Sequence, residues 1–134
     1  MLKGSGIILQ NEKGEFLLHL RDDKTPILTN QWCLIGGGIE KGEDIKKTLK
    51  REVKEEANLD IEELKFFKKF PFNNKDIFIF STKVNNSENK LKIGEGKKLK
   101  FFNEKDLISL IESLNYSNPY LKTIKEFIDL NKRS

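Results

Sequence analysis

A single cysteine, Cys33, leaves no partner for an intrachain disulfide and no thiolate cluster for a metal. Beside Trp32 it reads as a small buried apolar residue. Histidine is as scarce: His19 stands alone on an alternating stretch, where an exposed or hydrogen-bonded ring is expected rather than a catalytic one. Only three prolines occur, and no low-complexity linker, internal repeat or break in composition divides the chain. Its 134 residues suit one domain, residues 1–134, around one core. No apolar run approaches the length of a bilayer span and the N-terminus carries no hydrophobic secretory segment, so cytoplasmic residence with no membrane partner is the expectation. Charge of one sign is also lacking: 25 basic against 21 acidic residues give a net +4. The lysines are spread out, with Lys97, Lys98 and Lys100 the densest local group outside the helix read below. A diffuse basic surface attracts any phosphate-rich ligand and does not single out a nucleic acid.

What the chain does have is concentrated between residues 37 and 59, GGIEKGEDIKKTLKREVKEEANL. Asp44 to Ala57 contains no Gly or Pro and is built mostly of Lys, Glu, Leu and Ile, which predicts one helix. At about 100° per residue, Ile45, Leu49 and Val53 form an apolar stripe, and Lys46, Lys47, Lys50 and Lys54 gather on the far side. Glu52 and Glu56 project within or at the edge of the stripe, and Glu55 and Thr48 border it away from the lysines. A solvated Lys/Glu helix would alternate opposite charges along one face. Here the two signs are segregated, and only Arg51 with Glu55 makes a natural i, i+4 pair.

Carboxylates crowded against a core are costly unless paired or bound to a metal. A hard divalent cation resolves both the burial and the repulsion, and Mg²⁺ characteristically completes its shell with water and substrate phosphates. Phosphate-containing substrates follow. The glycines before the helix fit the same chemistry: Gly36, Gly37, Gly38 and Gly42 allow close approach to the main chain, and a helix N-terminus presents free N–H groups to anions.

The spacing Gly37, five residues, Glu43, seven residues, Arg51-Glu52-Val53, one residue, Glu55-Glu56 resembles the signature of the Nudix (MutT-like) hydrolases. These cleave a nucleoside diphosphate linked to another group. The family pattern continues with Gly where this chain has Asn58, a conservative departure because Asn is the next best residue for a left-handed helix end. Ile35 stands where many members have Pro, a difference bearing on loop shape. Trp32 precedes the glycines as in many relatives.

The resemblance implies that Glu52, Glu55 and Glu56 bind Mg²⁺, with Mn²⁺ as a substitute, and that the Gly36 carbonyl is a further ligand. Gly37, Gly38 and Arg21 are implied substrate contacts, although a plain surface role suits a strand-end Arg such as Arg21 as well. Arg51 would orient the carboxylates, chiefly through a bidentate grip on Glu55. Glu43 would steady the loop and helix start, where the dipole favours an acid. Two glutamates compete as general base, Glu52, which is favoured, and Glu95 in a late loop. Trp32, Phe80 and Phe102 either stack on a base or fill the core, with core favoured. The implied partner is a small nucleotide-derivative substrate, and the chain is expected to be a monomer or homodimer. The other reading left open is a non-catalytic nucleotide sensor, which would have no need of the whole acidic set.

The remaining segments predict an α/β sandwich of the Nudix type, α/β/α, with a mixed sheet and about three helices. Ser5–Gln10 and Phe16–Arg21 flank a turn and read as a hairpin, and Ile61–Phe72 with Ile77–Val84 reads as a second. Asp22–Gln31 and Ser87–Lys90 read as loops, followed by a short strand near Leu91–Ile93 and another from Lys98 to Phe102. Asn103 is expected to cap a helix to about Leu114, and Asn118-Pro119 to start another ending near Leu130.

Overall fold

The computed structural model describes residues 2–85 and 98–133. Its elements run β1 (Leu2–Asn11), β2 (Phe16–Leu20), β3 (Trp32–Cys33), β4 (Gly38–Ile39), α1 (Ile45–Ala57), β5 (Lys65–Phe72), β6 (Lys75–Val84), β7 (Lys98–Phe102), α2 (Glu104–Ser113) and α3 (Pro119–Lys132). The seven strands form one mixed sheet with the path β3-β2-β1-β6-β5, β4 pairing with β1 and β7 with β2.

The two expected hairpins are present. Gly14 turns with φ +79°, while the Asn11 side chain accepts from the backbone N–H groups of Lys13 and Glu15. Between β5 and β6, Asn73 and Asn74 both take positive φ, 52° and 61°, the conformation of a two-residue turn that matches strand twist. At the centre, β1 and β6 pair in parallel from Leu2↔Lys75 to Asn11↔Val84.

Helices cover both faces of the sheet. On one, Leu49, Val53 and Ala57 of α1 meet Ile7, Leu9, Leu17, Ile35 and Phe80. On the other, Leu107 and Ile111 of α2 and Leu121, Ile124 and Ile128 of α3 meet Ile8, Phe16, Leu18, Ile77 and Ile79. Alternation along β1, Ile7 and Leu9 one way and Ile8 the other, joins the two cores through a strand buried on both sides. This is the α/β sandwich expected, with three helices among the described residues.

Boundaries depart from expectation in one instructive place. The strand expected from Ile61 begins only at Lys65. Ile61 and Leu64 are buried, but three residues apart in an irregular segment that plugs the α1 side of the core, so their apolar character serves packing and not a ladder. The helix ends follow their caps. Asp44 sits just outside α1 with its carboxylate accepting from the N–H groups of Lys46 and Lys47, and Asn103 and Asn118 cap α2 and α3 likewise. The expected loop Ser87–Lys90, the strand near Leu91–Ile93 and Glu95 lie outside the described residues.

Candidate active site

The acidic helix is α1, and its ends explain how its carboxylates are aimed. Asp44 fixes the first turn, and Asn58 closes the last in the left-handed conformation, φ 56°, its N–H donating to the Lys54 carbonyl at 3.0 Å. The Asn that replaces the family's Gly therefore adopts the conformation expected of it.

Glu43 binds the loop to the helix. One oxygen accepts from the Glu40 N–H at 2.8 Å and the other from the Thr48 hydroxyl at 3.3 Å. Thr48 is buried, so this bond anchors the carboxylate to the core side of α1. Arg51 then lies among three acids, 3.7 Å from Glu43, 3.9 Å from Glu52 and 3.8 Å from Glu55. All three contacts exceed hydrogen-bond length. The expected bidentate grip on Glu55 is therefore not formed: the guanidinium is shared among three carboxylates instead of paired with one.

The three expected ligands differ in exposure. The Glu52 side chain is 23% exposed, whereas that of Glu55 is 58% exposed. Glu55 thus opens to solvent beside Arg51 and does not crowd the core margin as the helical projection suggested. Glu56 is half-buried, with Oε2 shut off from solvent.

The glycines divide by purpose. A β-carbon on Gly36 would fall 2.1 Å from the Ser5 carbonyl oxygen, so close packing on β1 demands glycine there. Gly42 turns with φ +88°. A β-carbon on Gly37 would meet only Glu52 Oε1, at 3.9 Å, which places this main-chain segment directly beside the acidic set. The Gly37 carbonyl accepts from both the N–H and the hydroxyl of Ser5, at 2.9 and 3.0 Å. Gly38 lies on β4 near the Lys75 ammonium.

Arg21 braces the loop that follows β2: its Nε donates to the Ile27 carbonyl and its N–H to that of Gln31. Phe80 and Phe102 are buried, and Trp32 packs edge-on against Phe102 at 5.1 Å, so these three rings fill core as favoured. The Leu34 carbonyl accepts from Nε2 of His19 at 3.0 Å. Burial pushes the Cys33 thiol up to about 12, which removes it as a nucleophile. Ser5, buried in β1 and holding the glycine strand, was missed by sequence reasoning; a lone hydroxyl just before the apolar run Ile7–Leu9 was its signal.

The donor chemistry suits a hard cation, since carboxylates and a main-chain carbonyl supply oxygen alone. Among the described residues, no three His, Cys, Asp or Glu side chains converge closely enough to clasp an ion as they stand. Glu55 is the exposed member of the set, and Glu52 lies beside Gly37. A groove of ≈ 1000 Å³ opens elsewhere, at the far ends of β1 and β6 near Gln10 and Lys83, and none of the candidate residues lines it.

Comparison with known proteins converges on one family. The family model of the NUDIX domain matches residues 2–125. The nucleoside triphosphatase NudI of Escherichia coli O139:H28 is 41% identical over 49 residues, 37% of this chain. That match spans about a third, 34%, of the relative's own length. Among solved structures, the MutT protein of Methanosarcina mazei Go1 superimposes with a TM-score of 0.72 at 19% identity, covering 99% of this chain and 96% of that one. An Ap4A hydrolase of C. elegans gives 0.65 at 22% identity, covering 96% and 98%. At such identities the structural likeness speaks for the fold.

Proposed function

The chain belongs to the Nudix family, and from that premise we propose that it hydrolyses a diphosphate linkage in a nucleoside diphosphate joined to another group, with Mg²⁺ as the cation. NudI is a nucleoside triphosphatase and the C. elegans neighbour an Ap4A hydrolase, so nucleoside triphosphates and dinucleoside polyphosphates head the substrate panel. The observation that carries the reading is the position of Glu52, partly buried and with Oε1 beside the Gly37 main chain.

Glu52, Glu55 and Glu56 would hold the ion, with the Gly36 carbonyl as a further donor. When bound, Mg²⁺ neutralises the diphosphate and lowers the pKa of water. Glu52 would accept the proton from the attacking water, its Oε1 lying beside the Gly37 main chain. Arg51, shared among Glu43, Glu52 and Glu55, offsets the repulsion between these three charges. Glu43 holds the loop onto α1 and so sets the distance from Gly37 to Glu52. Water displaces a phosphate-bearing group at phosphorus, and the proton passes to the carboxylate. The proposal takes the chain as one domain acting in the cytoplasm; no described helix is long and apolar enough to cross a membrane.

A panel of nucleotide derivatives with Mg²⁺, scored by phosphate or pyrophosphate release, tests this. Mn²⁺ binding followed by its paramagnetic resonance gives a readout independent of turnover. Glu56→Gln is expected to weaken Mn²⁺ binding, and Glu55→Gln to lower turnover by roughly 10². Full turnover with unchanged Mn²⁺ binding in both variants would remove the proposal. Tight nucleotide binding without cleavage by the parent chain would point to a sensor.

A further inference from the structure

Among the described residues the face of the sheet beneath α1 is only partly covered, and the end left open has a distinct composition. In the register of the sheet, Lys69 of β5 lies opposite Phe78 of β6, and Phe78 opposite Ser5 of β1. Ser5 in turn holds Gly37, beside which Glu52 stands. Lys69, Phe78, Ser5 and Gly37 therefore form one row across the pleat, pointing to the same face. At about 4.8 Å per strand, the Phe78 position is roughly 10 Å from the glycine strand.

At the far end of this row the rings and charges gather. The Lys3 and Lys69 ammonium groups lie over the Phe78 ring, 5.7 and 5.8 Å from its centroid. Phe66 tilts against Phe78 at 6.2 Å and packs edge-on to Phe80 at 5.6 Å, yet is 56% exposed. Carboxylates thus stand at one end of the row, and an open aromatic face flanked by two cations at the other. Lysine supplies donors only, so these two select an anion or a carbonyl oxygen. At an exposed site their hold on the ring is weak and easily exchanged for a phosphate.

We propose that Phe66, Phe78, Lys3 and Lys69 form a subsite for the nucleoside phosphate at one end of the substrate: the base stacks on Phe66, and Lys3 and Lys69 take its phosphate while the scissile linkage reaches back along the row to Glu52. The proposal rests on the hydrolase reading for its orientation, though the subsite itself needs no catalysis. It makes these four residues determinants of specificity for the nucleoside end of the substrate.

The test uses the full chain in the presence of a chelator, so that loss of hydrolysis cannot imitate loss of the subsite. Titration with a nucleoside monophosphate, the matching nucleoside and inorganic phosphate is followed by calorimetry and by amide NMR shifts. The monophosphate is expected to bind more tightly than either fragment and to shift the Phe66, Lys69 and Phe78 amides. Phe66→Ala should weaken it about tenfold, the scale of one base stacked on one ring. Lys3→Gln and Lys69→Gln should reduce the advantage of the monophosphate over the nucleoside. Equal binding by parent, Phe66→Ala and Lys69→Gln, or shifts confined to other residues, would overturn the subsite and leave the hydrolase reading standing. Should the parent cleave nothing while these variants still lose binding, the hydrolase reading falls and the subsite remains.

Discussion

The two faces of one sheet are built for different ends. Beneath α2 and α3, two helices seal a core rich in Leu, Ile and Phe, and rings such as Phe16, Phe67 and Phe127 meet edge-on. Beneath α1, one helix covers part of the sheet, carries acids along its margin and leaves a lysine-flanked aromatic row open. The first face contributes stability through burial. The second accepts carboxylates that a fold alone has no use for. The difference teaches that charge placement, more than apolar content, marks the functional side of this molecule.

Changes that stay on one face should therefore change one property. Leu107, fully buried between α2 and the sheet, gives the largest expected effect: Leu107→Ala should cost about 2–5 kcal/mol in denaturant unfolding while turnover per folded molecule is kept. Loss of turnover with intact stability in that variant would break the division between the faces.

Adjacent glycines sharpen the same comparison. Gly36→Ala forces a β-carbon against the Ser5 carbonyl at 2.1 Å and should lower stability by about 1–3 kcal/mol. Gly37→Ala meets nothing tighter than Glu52 Oε1 at 3.9 Å, so its melting temperature should be nearly that of the parent while activity falls. Similar melting losses in both variants would show that Gly37 serves packing as well.

Alkaline pH should act on the thiol and the phenol that burial keeps protonated. Burial pushes the Cys33 thiol from 9.0 to about 12 and the Tyr120 hydroxyl from 10.0 to about 12. The unfolded chain loses these protons first, so their contribution is full below pH 9 and declines as pH rises toward 12. A stability that stays level across that window, read by chemical unfolding, would contradict the burial assigned to them.

Much of the architecture was legible because its signals are local. Asn103 and Asn118 announce helix starts by side-chain capping, and the doubled Asn73-Asn74 announces a turn. The acidic spacing placed Glu43, Arg51, Glu52 and Glu55 together, as the fold has them. What escaped is non-local. Parallel pairing of β1 with β6 joins residues some seventy positions apart, and nothing in either strand names its partner. For the same reason the row from Lys69 to Gly37 is invisible in the chain, where its four residues lie on four separate segments. The sharing of Arg51 among three acids also escaped, since helix spacing alone favours a single i, i+4 partner.

The most direct measurement is turnover and melting temperature of Glu52→Gln side by side with the parent. A partly buried carboxylate kept for chemistry predicts a fall of roughly 10² or more in rate with a melting temperature equal to or above that of the parent. An unchanged rate accompanied by a lower melting temperature would contradict it, making Glu52 a structural residue.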